Sequence, residues 1–260
     1  MEIAEHLDIL HRQGGLMAAA AARAGLAAAV PSCPSWQVKD LLRHTGYIHR
    51  WAARHIAEGP SEVIDGPPEA EILRGGAADE GLLDWFGAGH AALVETLTAA
   101  DPAVVCATFL PAPSSLAFWT RRQAHETAIH RADAEFAAGL APEYPAVFAA
   151  DGIDELIMGF GQRRKYQPQA APAAGGGLLR VVAEDTGDAW TIAARQGRLQ
   201  PSRETDADAA GGAACTVSGP ASGLYLYLWN RADPTAAGIT ITGDLSPLRS
   251  WQASVKVRWS

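Results

Sequence analysis

The segment RRQAHETAIHRADAE, residues 121–135, carries the densest set of groups able to bind a metal or move a proton. His125-Glu126 followed by His130 resembles the zinc-protease pattern HExxH, but the spacing is one residue too long. At about 100° per residue, His125 and His130 point about 140° apart on a helix and cannot share an ion from one face. Glu126 and His130 are four apart and do share a face. A third group comes from WQVKDLLRHTGYIHRWAARHI, whose apolar stripe runs Leu41, His44, Ile48, Trp51, His55 at spacings of three and four. His44 lies inside that stripe and is expected to face the interior, whereas His49 and Arg50 fall off it and are expected in solvent. Two imidazoles and one carboxylate with positions left open suit a catalytic Zn²⁺ or Fe²⁺. Each group also has a plain structural reading. Arg122, Glu126 and His130 follow one another at intervals of four, as in a surface ion pair, and His44 reads as a core histidine bonded to a carbonyl.

Four helices are predicted ahead of residue 140 to position these groups. They run over about 3–29 with a break at Gly14-Gly15, from the Ser35/Trp36 boundary to Glu58, over 79–100, and over 114–138. Ser35 and Ser114 are the expected N-caps, and Gly139 with Pro142 is the stop. Four such helices make a bundle, whose core is a common place for inward Glu and His ligands. A shorter helix is expected over about 145–164. The connection 59–78, about 20 residues with three prolines and four glycines before Ala77, has the length of a lid or binding loop, or of a crossover between bundle halves. QPQAAPAAGGG, residues 167–177, has the composition of a linker. The pattern then changes to strands at 178–183, 189–194, 215–218 and 238–242, with helices at 221–230 and 246–253. The expected organisation is therefore a helical bundle over 1–166, a linker over 167–177 and a small α+β domain over 178–260.

Composition narrows the function classes. With 48% apolar and 19% charged residues the chain is globular, and its formal charge of −8 offers no basic stripe for nucleic acid. Cys33, Cys106 and Cys215 lie far apart without a CxxC pair, as expected of reduced thiols in a cytoplasmic protein. The acidic start MEIAEHLDIL lacks the basic region of a signal peptide, and the Ala-rich run 16–30 is too short and weakly apolar for a bilayer. Only 3 of the 21 cations are lysine and about a fifth of the chain is alanine, a bias of high-GC genomes. All eight histidines lie at or before His130, so imidazole chemistry belongs to the first half.

Three blocks resemble the mycothiol-dependent maleylpyruvate isomerase family, which joins a DinB-like metal-binding bundle to a sterol-carrier-like C-terminal domain. The first block is Cys33-Pro34-Ser35-Trp36 with Val38, Asp40 to Leu42, His44 and His49 to Trp51. The second is Arg122, His125-Glu126, Ile129 to Arg131 and Asp133-Ala134. The third is GPASGLYLYLWNR, residues 219–231, with Gly243-Asp244 beyond it. Ser35 departs from the glycine usual before the tryptophan, a change at the helix start that leaves the ligands untouched.

The resemblance implies that His44, Glu126 and His130 hold a divalent metal, usually zinc. It implies mycothiol as co-substrate, a thiol of actinobacteria held as a metal-bound thiolate for attack on a small electrophile. An isomerase adds and eliminates the thiol across a conjugated double bond; an S-transferase keeps the adduct. Arg231 is the implied cation for a substrate carboxylate or enolate, against a plain role in closing its helix. His125 is left between supporting the site and packing, and Cys33 reads as structural. Two other functions stay open, a metal-binding sensor without catalysis and a metal-dependent hydrolase. The electrophile and the oligomeric state are not set by the sequence.

Overall fold

In the computed structural model, residues 1–67, 69–75, 78–163, 177–195, 198–204 and 212–255 are described. They pack as two compact units, Met1–Pro142 and a second that begins at Glu143.

The first unit is the expected bundle. Helices α1 (Ile3–Ala24), α2 (Val38–Glu58), α4 (Leu82–Ala99) and α5 (Ser115–Ala137) are its walls, and the short α3 (Glu69–Gly75) stands in the connection after α2. α1 packs on α5 and α4, while α2 packs on α4 and α5. Strands β1 (Ala29–Val30) and β2 (Cys33–Gln37) form an antiparallel ribbon ahead of α2. Met17, Trp36, Leu41, Leu42, Leu82 and Phe86 close the core at this end.

Two expectations about helix ends change. α1 runs unbroken through Gly14-Gly15, because Gly14 is there for packing: a Cβ on it would lie 2.2 Å from Nε2 of His90 on α4. That nitrogen instead meets the Leu10 carbonyl at 2.9 Å. α2 begins after Gln37, not at Ser35, since Ser35 and Trp36 are spent in β2 and the Gln37 N–H donates to Asp40 Oδ2 at 2.9 Å. At α5 the expectation holds: Ser114 Oγ accepts from the Ala117 N–H, and Gly139 takes φ 71° beyond the helix.

The second unit is α+β. Helix α6 (Ala146–Asp154) widens into a π-type turn over Glu155–Gly159 and ends in a 3₁₀ turn. The sequence grouped this helix with the bundle, but it packs on α7 (Ala221–Leu228). The strands β3 (Leu178–Ala183), β4 (Ala189–Arg195), β5 (Arg198–Arg203), β6 (Ala213–Gly219) and β7 (Thr240–Gly243) form one sheet of order β5-β4-β3-β6-β7, with α8 (Ser246–Ser254) following. β3 and β6 are parallel and the other pairs antiparallel. β5 escaped the sequence reading because RLQPSR is polar and holds Pro201, which an edge strand tolerates. The expected linker, apart from Gly177, lies outside the described residues. Among the described residues no helix is long and apolar enough to cross a membrane.

Candidate metal centre

α5 is the central helix of the bundle: every residue from Arg122 to Ala134 is buried. A helix this polar and buried on all sides has no solvent to satisfy its side chains, so they must find partners inside. Glu126 and His130 rise from one face of it, and His44 reaches them from α2. Nε2 of His130 lies 3.2 Å and Nε2 of His44 3.6 Å from Oε1 of Glu126. One ligand-type atom from each of the three falls within 4.8 Å of the others. The helical spacing that selected these residues has brought them together.

Their surroundings orient them. Arg122 Nη2 donates to Oε2 of Glu126 at 2.9 Å, which turns Oε1 toward the imidazoles. His130 Nδ1–H donates to Oδ2 of Asp133 at 2.8 Å, and Ser32 Oγ donates to the other carboxylate oxygen of Asp133. With the proton on Nδ1, the Nε2 lone pair of His130 faces the Glu126 oxygen. The Trp36 ring covers the other side, 5.1 Å from the His44 ring and 6.4 Å from that of His130.

The electrostatics favour a positive charge at this point. Burial pushes the Glu126 carboxyl up, but His130, His44 and Arg122 outweigh it and hold it well below the usual range. Burial pulls His130 down, yet Asp133 and Glu126 raise it above its ordinary value. His44 is lowered, chiefly by burial. Glu126 Oε1 and His130 Nε2 are buried without a hydrogen-bond partner among the described residues. Two electron-rich atoms so close repel unless a proton or a cation stands between them. A set of two imidazole nitrogens and a carboxylate oxygen, with a carboxylate behind one imidazole, fits a divalent metal.

The other residues named from sequence are placed as follows. His125 is buried on another face of α5, edge-on to His6 with ring centroids 6.1 Å apart. Arg231 belongs to the second unit, on the turn after α7, where its Nη1 donates to the Trp229 carbonyl at 2.8 Å. Tyr225 and Trp229 are core residues of that unit, and all three cysteines are buried. Two expectations are corrected. His49 is fully buried, because α2 is covered by α4 as well as α5. Arg50 is half-buried, donating to the Gly46 and Trp85 carbonyls with its guanidinium 3.9 Å from the Trp85 ring centroid. Arg122 and Asp133 are the site's missed partners. Their spacings, four before Glu126 and three after His130, were legible, but burial of both was not.

The connection after α2 is tied back to that helix. Trp51 Nε1–H donates to the Ile64 carbonyl at 2.8 Å, and the Ile64 N–H donates to Nε2 of His55 at 2.9 Å. His55 in turn donates from Nδ1 to the Trp51 carbonyl at 2.8 Å.

Residues 7–135 match the family model described as the mycothiol maleylpyruvate isomerase N-terminal domain, and residues 147–249 match the MDMPI C-terminal domain. The chain belongs to the mycothiol-dependent maleylpyruvate isomerase family. Within this family the fold is also shared with solved structures. A crystal structure of the mycothiol-dependent maleylpyruvate isomerase matches with TM-score 0.62 at 15% identity, covering 93% of each chain. That of a histidine-to-alanine mutant of the enzyme matches with TM-score 0.63 at 14% identity, again over 93% of each. Among curated proteins, sequence comparison found no match. The two family matches end in α5 and begin in α6, on either side of the division at Pro142 and Glu143.

Proposed function

We propose that this family member is a metal-dependent enzyme that uses mycothiol to attack a small electrophile, with His44, Glu126 and His130 as the metal ligands. The observation that carries it is the buried convergence of three ligand-type atoms within 4.8 Å, with Glu126 Oε1 and His130 Nε2 lacking a hydrogen-bond partner among the described residues. A divalent ion there, zinc first, would lower the pKa of a coordinating thiol enough to make it a nucleophile at neutral pH. Everything else falls to the chain. Asp133 keeps the His130 proton on Nδ1, Arg122 holds Glu126 by one oxygen, and burial keeps water from competing. Arg231 is proposed as the cation that receives an acceptor carboxylate or the enolate formed when thiol adds. The family and its solved members favour cis–trans isomerisation by reversible thiol addition over S-transfer, with maleylpyruvate the first acceptor to assay. The three cysteines, none in a disulfide, support a reducing, cytoplasmic setting.

The test is turnover of maleylpyruvate by purified protein loaded with Zn²⁺ or Co²⁺, with and without mycothiol. Thiol-dependent turnover, and a new sulfur-to-metal absorption band when mycothiol meets the Co²⁺ form, are expected. Replacing Cys33, Cys106 and Cys215 together by serine leaves both in place if the fold survives. Turnover that ignores mycothiol would favour the hydrolase, and metal uptake without turnover of any electrophile would favour the sensor.

A further inference from the structure

Among the described residues, His49 has one hydrogen-bond partner at its buried ring, and that partner belongs to the helix that carries two of the three proposed ligands. Its Nε2 is hydrogen-bonded to Thr127 Oγ1 at 2.9 Å, both residues are fully buried, and Nδ1 has no hydrogen-bond partner among the described residues. The ring is held between Phe86 and His90 of α4, at centroid distances of 5.5 and 5.3 Å. Thr127 adjoins Glu126 and stands three residues before His130; His49 stands five residues after His44 on α2. The hydrogen bond therefore spans the two helices that supply ligands, one residue from Glu126 on α5 and five residues from His44 on α2.

The geometry points to His49 as a positioning residue: through Thr127 it fixes the rotation and height of α5 against α2, so that His44 meets Glu126 and His130. The inference rests on the proposed metal reading. A direct ligand role is excluded by direction. Five residues on from His44, the side chain of His49 points about 140° away around α2. An apolar residue would fill the same space, but its contacts carry no directional preference, whereas a buried hydrogen bond has one favourable length and angle. Ligand atoms held in advance bind a metal more tightly, and support of this kind is worth about 10–100-fold in metal affinity.

The experiment is Co²⁺ titration of the full-length protein, in competition with a chromophoric chelator, alongside thermal melts. His49→Phe keeps the ring volume and loses the bond; Thr127→Val keeps the shape and loses the hydroxyl. Each is expected to weaken Co²⁺ binding about tenfold or more. The double variant is expected to weaken it no further than either alone, since both remove the same bond. Thr127→Ser and His49→Gln, which can re-form it, are expected to recover most of the affinity, a rescue that loss of packing would not show. Folded variants that bind Co²⁺ like the wild type, or losses that simply add in the double variant, would overturn the inference. Should His49→Phe not fold, the Thr127 pair decides alone. A wild type that takes up no Co²⁺ would instead overturn the metal reading, and this inference with it.

Discussion

Asp133 stands behind His130, accepting its Nδ1–H at 2.8 Å while Ser32 holds the opposite carboxylate oxygen. The imidazole is thereby fixed in tautomer and direction by a residue that need not touch a metal. Asp133→Asn keeps the shape and removes the charge. It is expected to lower metal affinity by about 10-fold or more, read by chelator competition. Asp133→Ala also leaves a buried N–H without its acceptor, and should cost about 1–3 kcal/mol in denaturant unfolding.

His44→Ala, Glu126→Ala and His130→Ala are each expected to bring metal content, measured by elemental analysis, well below one ion per chain. His125→Ala should retain it, because that ring packs against His6 on another face. Full metal in all three ligand variants would sink the site.

Acid should destabilise the bundle through His49. Burial first, then its neighbours His90 and Arg50, hold this imidazole well below its ordinary value of 6.5. Below pH 6.5 the unfolded chain takes up a proton there that the folded one refuses, so unfolding gains protons and stability falls with pH. The contribution is complete above 6.5 and is lost at up to about 1.4 kcal/mol per pH unit below it. His49→Phe removes this share, and its unfolding free energy between pH 5 and 6.5 should slope less steeply than the wild type's.

The adjacent glycines of α1 should answer differently to alanine. Gly15 is exposed with nothing within 4 Å of an added Cβ, and Gly15→Ala is expected to stabilise by about 0.5–1 kcal/mol. At Gly14 the same methyl meets the buried His90 ring, and Gly14→Ala should cost about 1–3 kcal/mol. Thermal melts of the two variants check the opposite signs.

The triad was legible because it obeys helical periodicity: Glu126 and His130 are one turn apart, and His44 sits within an apolar stripe. The same logic failed at His49, since a single stripe presumes a single buried face and α2 has two. It failed again at Arg122, because α5 is buried all round and shows no polar side from which to infer exposure. β5 was missed for a related reason, an edge strand being free of the apolar alternation that marks interior ones. The ring space at Gly14 was hidden because a glycine pair reads locally as a break, and its reason lies 76 residues away at His90.

Ile64 is gripped by its main chain alone, carbonyl to Trp51 and N–H to His55. Such a tie is blind to the side chain. Any residue but proline at position 64 can make both bonds, since proline lacks the donor. A connection anchored in this way keeps its path while its side chains drift, so descendants of one ancestral loop can acquire new chemistry there without rebuilding the helices beneath.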